Sequence, residues 1–196
     1  MEFRDGVLVR TKSIHDHVFP LVAKHPSGAE RMAGTAFVIG TNGYALTAGH
    51  CLPKPDETLA GMFLLAESRD GSLHGRWAME PIAAYERHPT HDVAILKLTT
   101  PTLPCAFLRL SPRPRGPETE YQLWGYPERG YDFINKPDGD RSVPRPDLIY
   151  TKGYVRRPVN RPDVFATRGA AFLEVSEVAG NGCSGSPVVE SSSRTS

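Results

Sequence analysis

The chain has 196 residues, of which 39% are hydrophobic, enough for one compact domain or for two small barrels that share an interface. Lys and Arg number 23 and Asp and Glu number 22, so the formal net charge is only +1 with neutral histidines. This balance argues against a nucleic-acid partner and against a membrane partner held by bulk charge.

Neither the apolar runs of the chain nor its first ten residues indicate a membrane-spanning helix or a signal peptide. No apolar run approaches the ~18 residues that a membrane-spanning helix needs. The first ten residues carry Glu2 and Asp5 where a signal peptide has an apolar stretch. We therefore expect a soluble chain without an export signal, cytoplasmic by default.

The cysteines do not form the framework of a small secreted protein. Cys51, Cys105 and Cys183 are odd in number and far apart in the sequence. Their spacing also lacks the paired Cys and His ligands of a structural zinc site. We expect free thiols, no metal and no cofactor.

Gly and Pro number 18 each and punctuate short apolar runs, which is typical of many short strands. Runs rich in β-branched, aromatic or leucine residues predict strands at residues 17–23, 35–39, 44–47, 62–66, 76–85, 93–98, 120–124, 148–155, 171–175 and 187–189. No amphipathic helical period of ten or more residues interrupts them. The sequence therefore predicts an all-β fold, with a long Pro-rich loop between residues 135 and 146.

Turn residues divide these predicted strands. Asn-Gly within residues 41–43 and Asp-Gly within residues 69–71 each predict a hairpin. Residues 111–117, SPRPRGP, hold three prolines and a glycine and cannot continue a helix or a central strand. We place an inter-domain linker there, between an N-terminal domain of residues 1–110 and a C-terminal domain of residues 118–196.

Three segments carry residues suited to nucleophilic catalysis. Such catalysis needs a hydroxyl nucleophile, a base that takes its proton, and a group that orients the base and stabilises its charge. His50, in TAGHC, follows an apolar strand and can project into a cleft. Asp92 precedes the apolar run VAILKL, where its carboxylate can meet an imidazole. Ser184, in GNGCSGSP, is the candidate nucleophile.

The glycines around Ser184 are part of the same prediction. They permit a tight backbone that can point two N–H groups at one place. We expect the N–H groups of Gly182 and Ser184 to form an oxyanion hole, which stabilises the charge that develops on a scissile carbonyl.

These three segments resemble the His, Asp and Ser motifs of the trypsin-like (chymotrypsin-fold) serine peptidases. His50, Asp92 and Ser184 follow the family's chain order, with separations of 42 and 92 residues. The resemblance implies two antiparallel six-stranded barrels, the first carrying His50 and Asp92 and the second Ser184. It also implies a protein or peptide substrate that is cleaved in the cleft between the barrels.

Within the family the chain looks closer to the bacterial and HtrA-type branch than to the digestive trypsins. Those enzymes carry an aspartate before the nucleophile, where this chain has Cys183. By resemblance, Val178 lies at the base of the primary specificity pocket. Because Val178 supplies no counter-charge, we expect cleavage after a small or apolar residue rather than after Lys or Arg.

Several alternatives remain open. Cys183 could be the nucleophile, but Gly185-Ser186-Pro187 fits the family pattern only with Ser184 in that place. Only 12 residues follow Ser184, so we expect an incomplete second barrel, which a partner or a missing C-terminal segment would complete. A weak or inactive protease-like binding or scaffold module is the second hypothesis, and a non-peptide esterase with the same triad is the third.

Overall fold

The computed structural model describes residues 2–4, 7–9, 14–40, 42–69, 72–99, 108–111, 115–127, 131–134, 143–160, 171–177 and 180–190. Within these ranges no α-helix occurs, and two three-residue 3₁₀ helices lie at Ile14–Asp16 and Gly49–Cys51. In chain order the strands are β1 (Glu2–Arg4), β2 (Val7–Val9), β3 (Val18–Lys24), β4 (Glu30–Ile39), β5 (Tyr44–Thr47), β6 (Thr58–Arg69), β7 (Ser72–Arg87), β8 (Ala94–Leu98), β9 (Glu120–Gly125), β10 (Tyr131–Ile134), β11 (Val143–Pro146), β12 (Ile149–Asn160), β13 (Ala171–Val175) and β14 (Val188–Glu190). The predicted all-β class is confirmed.

Six strands close into a barrel in the order β3-β4-β5-β8-β7-β6. All of its pairs are antiparallel, and the pairing of β3 with β6, which sets Leu21 opposite Gly61, completes the ring. Closure pairs each strand on both sides, so the barrel presents no free edge.

The barrel interior follows from side-chain alternation. In β8, Ala94, Leu96 and Leu98 are buried, while Ile95 between them is exposed. The rings of Phe19 and Phe63 pack with centroids 4.3 Å apart. The core cluster comprises Phe19, Leu21, Ala36, Val38, Ala45, Cys51, Leu59, Phe63, Leu96 and Leu98. Its apolar side chains are the main stabilising contribution to this part of the fold.

The second unit is an open four-stranded sheet in the order β13-β12-β9-β14. Within the described residues, β13 and β14 are its unpaired edges. The prediction of a second, incomplete barrel is therefore confirmed. Two further hairpins, β1-β2 and β10-β11, pair only with themselves among the described strands.

Most predicted strands are present with shifted ends. Residues 44–47 and 171–175 match β5 and β13 to the residue, whereas β6 and β7 extend well beyond the predicted segments. Both predicted hairpins are observed, because β4 pairs with β5 and β6 pairs with β7 in antiparallel register. Pairing explains the longer strands, since a neighbour's hydrogen bonds stabilise polar residues in an extended conformation.

The predicted Pro-rich loop between residues 135 and 146 is wrong at its C-terminal end. Val143–Pro146 is a strand that pairs with Tyr131–Ile134, with Phe133 opposite Pro144 and Tyr131 opposite Pro146. The two prolines lie two residues apart, so both occupy the same kind of position in the ladder. In a two-stranded ribbon every strand is an edge, where a proline that lacks an N–H is tolerated.

The barrel strands come from Val18–Lys24 to Ala94–Leu98, and the open sheet begins at Glu120–Gly125. Residues 112–114 of the predicted linker lie outside the described residues. The division into residues 1–110, 111–117 and 118–196 stays a prediction. No helix in the described ranges is long and apolar enough to span a membrane.

Candidate active site

Strand pairing brings the His50 and Asp92 segments together. His50 lies in the 3₁₀ helix just after β5, and Asp92 lies just before β8. These two strands pair with Thr47 opposite Ala94. The residues that follow β5 and those that precede β8 therefore emerge side by side at one end of the barrel.

Asp92 holds His50 at two atoms. Its Oδ2 lies 2.6 Å from His50 Nδ1, and its Oδ1 accepts the His50 backbone N–H at 2.8 Å. Since the carboxylate can only accept, Nδ1 carries the proton and Nε2 is left as the basic nitrogen. A Cβ built on Gly49 would lie 3.0 Å from Asp92 Oδ1, so the small residue before His50 permits this close approach.

The His50 side chain is more than half exposed, at 55%, and that of Asp92 is 30% exposed. Among the described residues, Nε2 of His50 has no hydrogen-bond partner. The geometry leaves this nitrogen accessible for proton transfer.

The Ser184 loop consists of two successive turns that share Cys183. The N–H of Cys183 donates to the Gly180 carbonyl at 3.2 Å, and the N–H of Ser186 donates to the Cys183 carbonyl at 3.0 Å. Gly182 and Gly185 occupy the third position of their turns with φ of 94° and 85°. Positive φ at this position is the type II signature and favours glycine.

This arrangement leaves two N–H groups unused. The turn bonds engage the N–H groups of Cys183 and Ser186, not those of Gly182 and Ser184. Within the part of the chain that the structure describes, neither of the latter two has an acceptor. Two such donors, two residues apart in a tight loop, are suited to binding an oxyanion.

Thr35 of β4 fixes this loop to the barrel. Its N–H donates to the Ser184 carbonyl at 2.8 Å, and its hydroxyl donates to the Gly182 carbonyl at 3.2 Å. The same hydroxyl accepts the N–H of Tyr126 at 2.9 Å. Thr35 is fully buried, so its polar groups cannot bind water, and these hydrogen bonds supply their partners instead.

The loop also touches the segment that carries His50. A Cβ on Gly185 would lie 2.2 Å from the Thr35 carbonyl oxygen and 2.9 Å from the N atom of Ala48. The fold thus brings the three predicted segments to one place. Of the three side chains, His50 and Asp92 are hydrogen-bonded, whereas no hydrogen bond joins His50 to Ser184 among the described residues.

Two of the cysteines are buried free thiols near this site. Cys51 contacts the Ser184 carbonyl through its Sγ at 3.5 Å. Burial raises the pKa of the Cys51 thiol, and burial likewise raises the pKa of Cys183. Both shifts oppose thiolate formation, which is the reverse of what an activated cysteine nucleophile needs.

Two residues of the site, Thr35 and Arg87, carry no signal in the sequence. Thr35 was missed because a buried threonine in a strand carries no local pattern. Arg87, which donates to the Gly49 carbonyl at 2.6 Å, has no local pattern either, because a charged residue at the end of a strand is ordinary. Val178, the predicted pocket residue, and Cys105 lie outside the described residues.

Comparisons with known proteins identify the family and the fold. Residues 34–195, more than half of the chain, match the family model described as a trypsin-like peptidase domain. The solved HtrA-type protease AlgW with a decapeptide has a TM-score of 0.59 at 17% identity, and the match covers 90% of this chain. The inactive form of Rv3671c protease has a TM-score of 0.54 at 18% identity, and the match covers 89% of this chain.

The match covers 53% of AlgW and 72% of Rv3671c protease, so the chain spans about half the length of the first. At these identities the likeness shows the fold. It confirms the predicted resemblance to HtrA-type proteases at that level. No curated protein sequence gives a significant match.

Proposed function

The chain belongs to the trypsin-like peptidase family, and on that premise we propose that it is a serine endopeptidase acting through an acyl-enzyme intermediate. The observation that carries the proposal is the double hold of Asp92 on His50, at the ring and at the backbone. A merely structural histidine would not need one carboxylate to fix both its tautomer and its position.

The proposed roles follow from the free atoms of the site. Ser184 Oγ attacks the carbonyl carbon of the scissile bond while its proton passes to His50 Nε2. Collapse of the tetrahedral intermediate breaks the C–N bond, and His50 gives that proton to the leaving amine. Water then attacks the ester, with His50 as base, and releases the acid as the proton returns to Ser184. Asp92 stabilises the imidazolium that forms in both halves.

The oxyanion of each tetrahedral intermediate would bind to the N–H groups of Gly182 and Ser184. Their lack of other acceptors among the described residues supports this assignment. Removing one such donor from an enzyme typically costs about 10² to 10³ in rate. The chemistry therefore depends on the loop conformation as much as on the nucleophile.

Ser184, rather than Cys183, is the proposed nucleophile. Cys183 is only 6% exposed and its thiol pKa is raised by burial. A buried thiol that resists ionisation is a poor nucleophile. Ser184, in contrast, occupies the second position of its turn, from which a side chain can project outward.

A peptide is the proposed substrate class. The AlgW structure contains a decapeptide, and this chain shares its fold. Preference for a small or apolar residue, based on Val178, stays a prediction, as do the independence from cofactors and metals and the cytoplasmic location.

An alternative function is a protease-like binding or scaffold module of low activity. The open sheet favours it, because a cavity of about 590 Å³ borders the edge strand β14. Leu110, Tyr121, Val155, Leu173 and Val188 are among its apolar lining. A partner or a further segment that completes this sheet stays part of that alternative.

Labelling with a fluorophosphonate reagent tests the proposed function. The wild-type chain should label, and Ser184→Ala and His50→Ala should not. Ser186→Ala and Cys183→Ala are matched controls that should still label, since Ser186 Oγ is buried without a hydrogen-bond partner among the described residues. If Ser184→Ala still labels, and adding Cys183→Ala abolishes that labelling, Cys183 is the nucleophile instead.

Labelling alone does not distinguish an endopeptidase from an esterase, so a second assay measures the cleavage of peptides and of esters. Cleavage of a mixed peptide library by a labelling-competent sample supports the endopeptidase. Turnover of p-nitrophenyl esters without peptide cleavage would favour the esterase. A folded wild-type sample that neither labels nor cleaves would favour the binding module.

A further inference from the structure

The peptide unit between Gly49 and His50 is held on both sides by charged side chains. Its oxygen accepts a hydrogen bond from Arg87 Nη2 at 2.6 Å. Its N–H donates to Asp92 Oδ1 at 2.8 Å. The negative end of the peptide dipole thus faces a guanidinium and the positive end faces a carboxylate, the favourable orientation at each end.

The Gly49 carbonyl has two acceptor positions, and both are used. The N–H of Leu52 donates to it at 3.2 Å, which closes the short 3₁₀ helix. Arg87 takes the second position. The turn bond alone would restrain the carbonyl oxygen by a single hydrogen bond. The guanidinium adds a second hydrogen bond and so restrains the rotation of the peptide plane further.

Arg87 and Asp92 belong to one connection of the barrel. Arg87 is the last residue of β7 and pairs directly with Ala94 of β8. The N–H of His88 donates to the Val93 carbonyl at 2.8 Å and closes the connection. The same hairpin end therefore supplies both the cation and the anion that bind the Gly49–His50 peptide unit.

We propose that Arg87 is a positioning residue for His50, acting through the Gly49 carbonyl. This inference deepens the proposed function and rests on it. A 3₁₀ helix of three residues has little stiffness of its own, so a rotation of the Gly49–His50 peptide would carry the imidazole with it. Arg87 opposes that rotation, and Asp92 then meets Nδ1 in one orientation.

The test compares Arg87→Met with Arg87→Lys. Methionine keeps the apolar stem without a donor, and lysine restores a cationic donor. Arg156→Met is the matched control, because Arg156 is also exposed and also donates to a backbone carbonyl, that of Ser176 at 3.5 Å, in the second sheet. Fluorophosphonate labelling is followed over a range of reagent concentrations.

Arg87→Met should lower the maximal labelling rate by about 10-fold to 100-fold, the usual cost of a misplaced catalytic group. The reagent concentration that gives half of that rate should not change. Arg87→Lys should recover to within about threefold of wild type, because one N–H donor again reaches the carbonyl. Arg156→Met should label as wild type does.

Proton NMR of His50 supplies a readout that does not need activity. The short bond to Asp92 should shift the Nδ1–H resonance downfield, and in Arg87→Met this resonance should broaden or move towards that of a free imidazole. A resonance and a labelling rate unchanged in Arg87→Met would overturn the proposal. If Arg87→Met does not fold, Arg87→Gln, whose amide falls short of the carbonyl, takes its place with the same expectations.

The two proposals fail differently. A wild-type chain that never labels contradicts the peptidase, yet a His50 resonance that Arg87→Met alters would still support the positioning role. A chain that labels equally with and without Arg87 contradicts the positioning role and leaves the peptidase intact.

Discussion

The backbone N–H of Thr35 donates to the carbonyl oxygen of Ser184 at 2.8 Å and so connects β4 of the closed barrel to the loop of the proposed nucleophile. The Thr35 hydroxyl reinforces this connection through Gly182 and Tyr126. The barrel that carries His50 and Asp92 is thereby attached to Ser184 through one buried residue.

Thr35→Val should weaken that attachment. Valine has nearly the shape of threonine, but it leaves the Gly182 carbonyl and the Tyr126 N–H without their buried partner. The cost should be about 1–3 kcal/mol of unfolding free energy, with a clear loss of labelling by fluorophosphonate. Denaturant unfolding measures the first effect. Thr35→Ser, which keeps the hydroxyl, should stay near wild type in both, and equal effects of the two variants would contradict the role of the hydroxyl.

Gly185→Ala should disrupt the Ser184 loop. Its Cβ would come within 2.2 Å of the Thr35 carbonyl oxygen, at a φ of 85° that alanine adopts poorly. Gly28→Ala is a matched control, since Gly28 has a φ of 87° and open space around it. Backbone strain alone costs about 1–2 kcal/mol. Thermal melting should show a larger loss for Gly185→Ala, which should also lose labelling, and equal losses would refute the close approach.

Cys51 and Cys183 should resist thiol reagents in the folded chain. Burial raises the pKa of both thiols, so less thiolate is present at a given pH than for a free cysteine. In a Cys105→Ser background, Ellman's reagent at pH 8 should react slowly before unfolding and count two thiols after it. If one thiol reacts rapidly in the folded chain and Cys183→Ala removes it, Cys183 would again be a candidate nucleophile.

Glu57 should make stability depend on acidity. Its carboxylate accepts two hydrogen bonds from Arg31, at 2.9 and 2.6 Å, and one from the Lys54 N–H at 2.9 Å. The Arg31 bonds, then the Lys54 bond, lower the pKa of Glu57 from 4.5 to about 2. A lowered folded pKa gives stability that is present above the unfolded pKa and is lost as pH falls towards 2.

Glu57→Gln should therefore melt below wild type at pH 7, and the difference should shrink between pH 4.5 and pH 2. Glu177→Gln is the control, because the Glu177 carboxylate has no partner in the described part of the chain. A difference in melting temperature that persists unchanged at pH 2 would show that the ion pair is not its source.

Sequence alone located the proposed catalytic segments because their signals are local. His50 follows an apolar run and Ser184 lies among glycines, and both patterns can be recognised within a few residues. The contact between His50 and Asp92 depends on β5 pairing with β8, and no local pattern encodes that pairing. Its prediction came from the chain order of a resembling family.

Other features could not be predicted for physical reasons. Thr35 and Arg87 act through hydrogen bonds to backbone groups. Because every residue has a backbone, the identity of the partner residue gives no signal in the sequence. The prolines of Val143–Pro146 lack N–H groups and therefore predict a loop, but a proline is tolerated in an edge strand. The observed strand ends differ from the predicted ones wherever hydrogen bonding to the neighbouring strand continues past the apolar residues.

The division of the site between barrel and loop also sets an order in time during synthesis. Leu98 ends the last barrel strand, and Ser184 follows it by 86 residues. At ordinary translation rates that stretch takes about 4 to 17 s to make. The ribosome therefore completes the strands that support His50 and Asp92 before Ser184 exists, and for those seconds the nascent chain carries the proposed base without the proposed nucleophile.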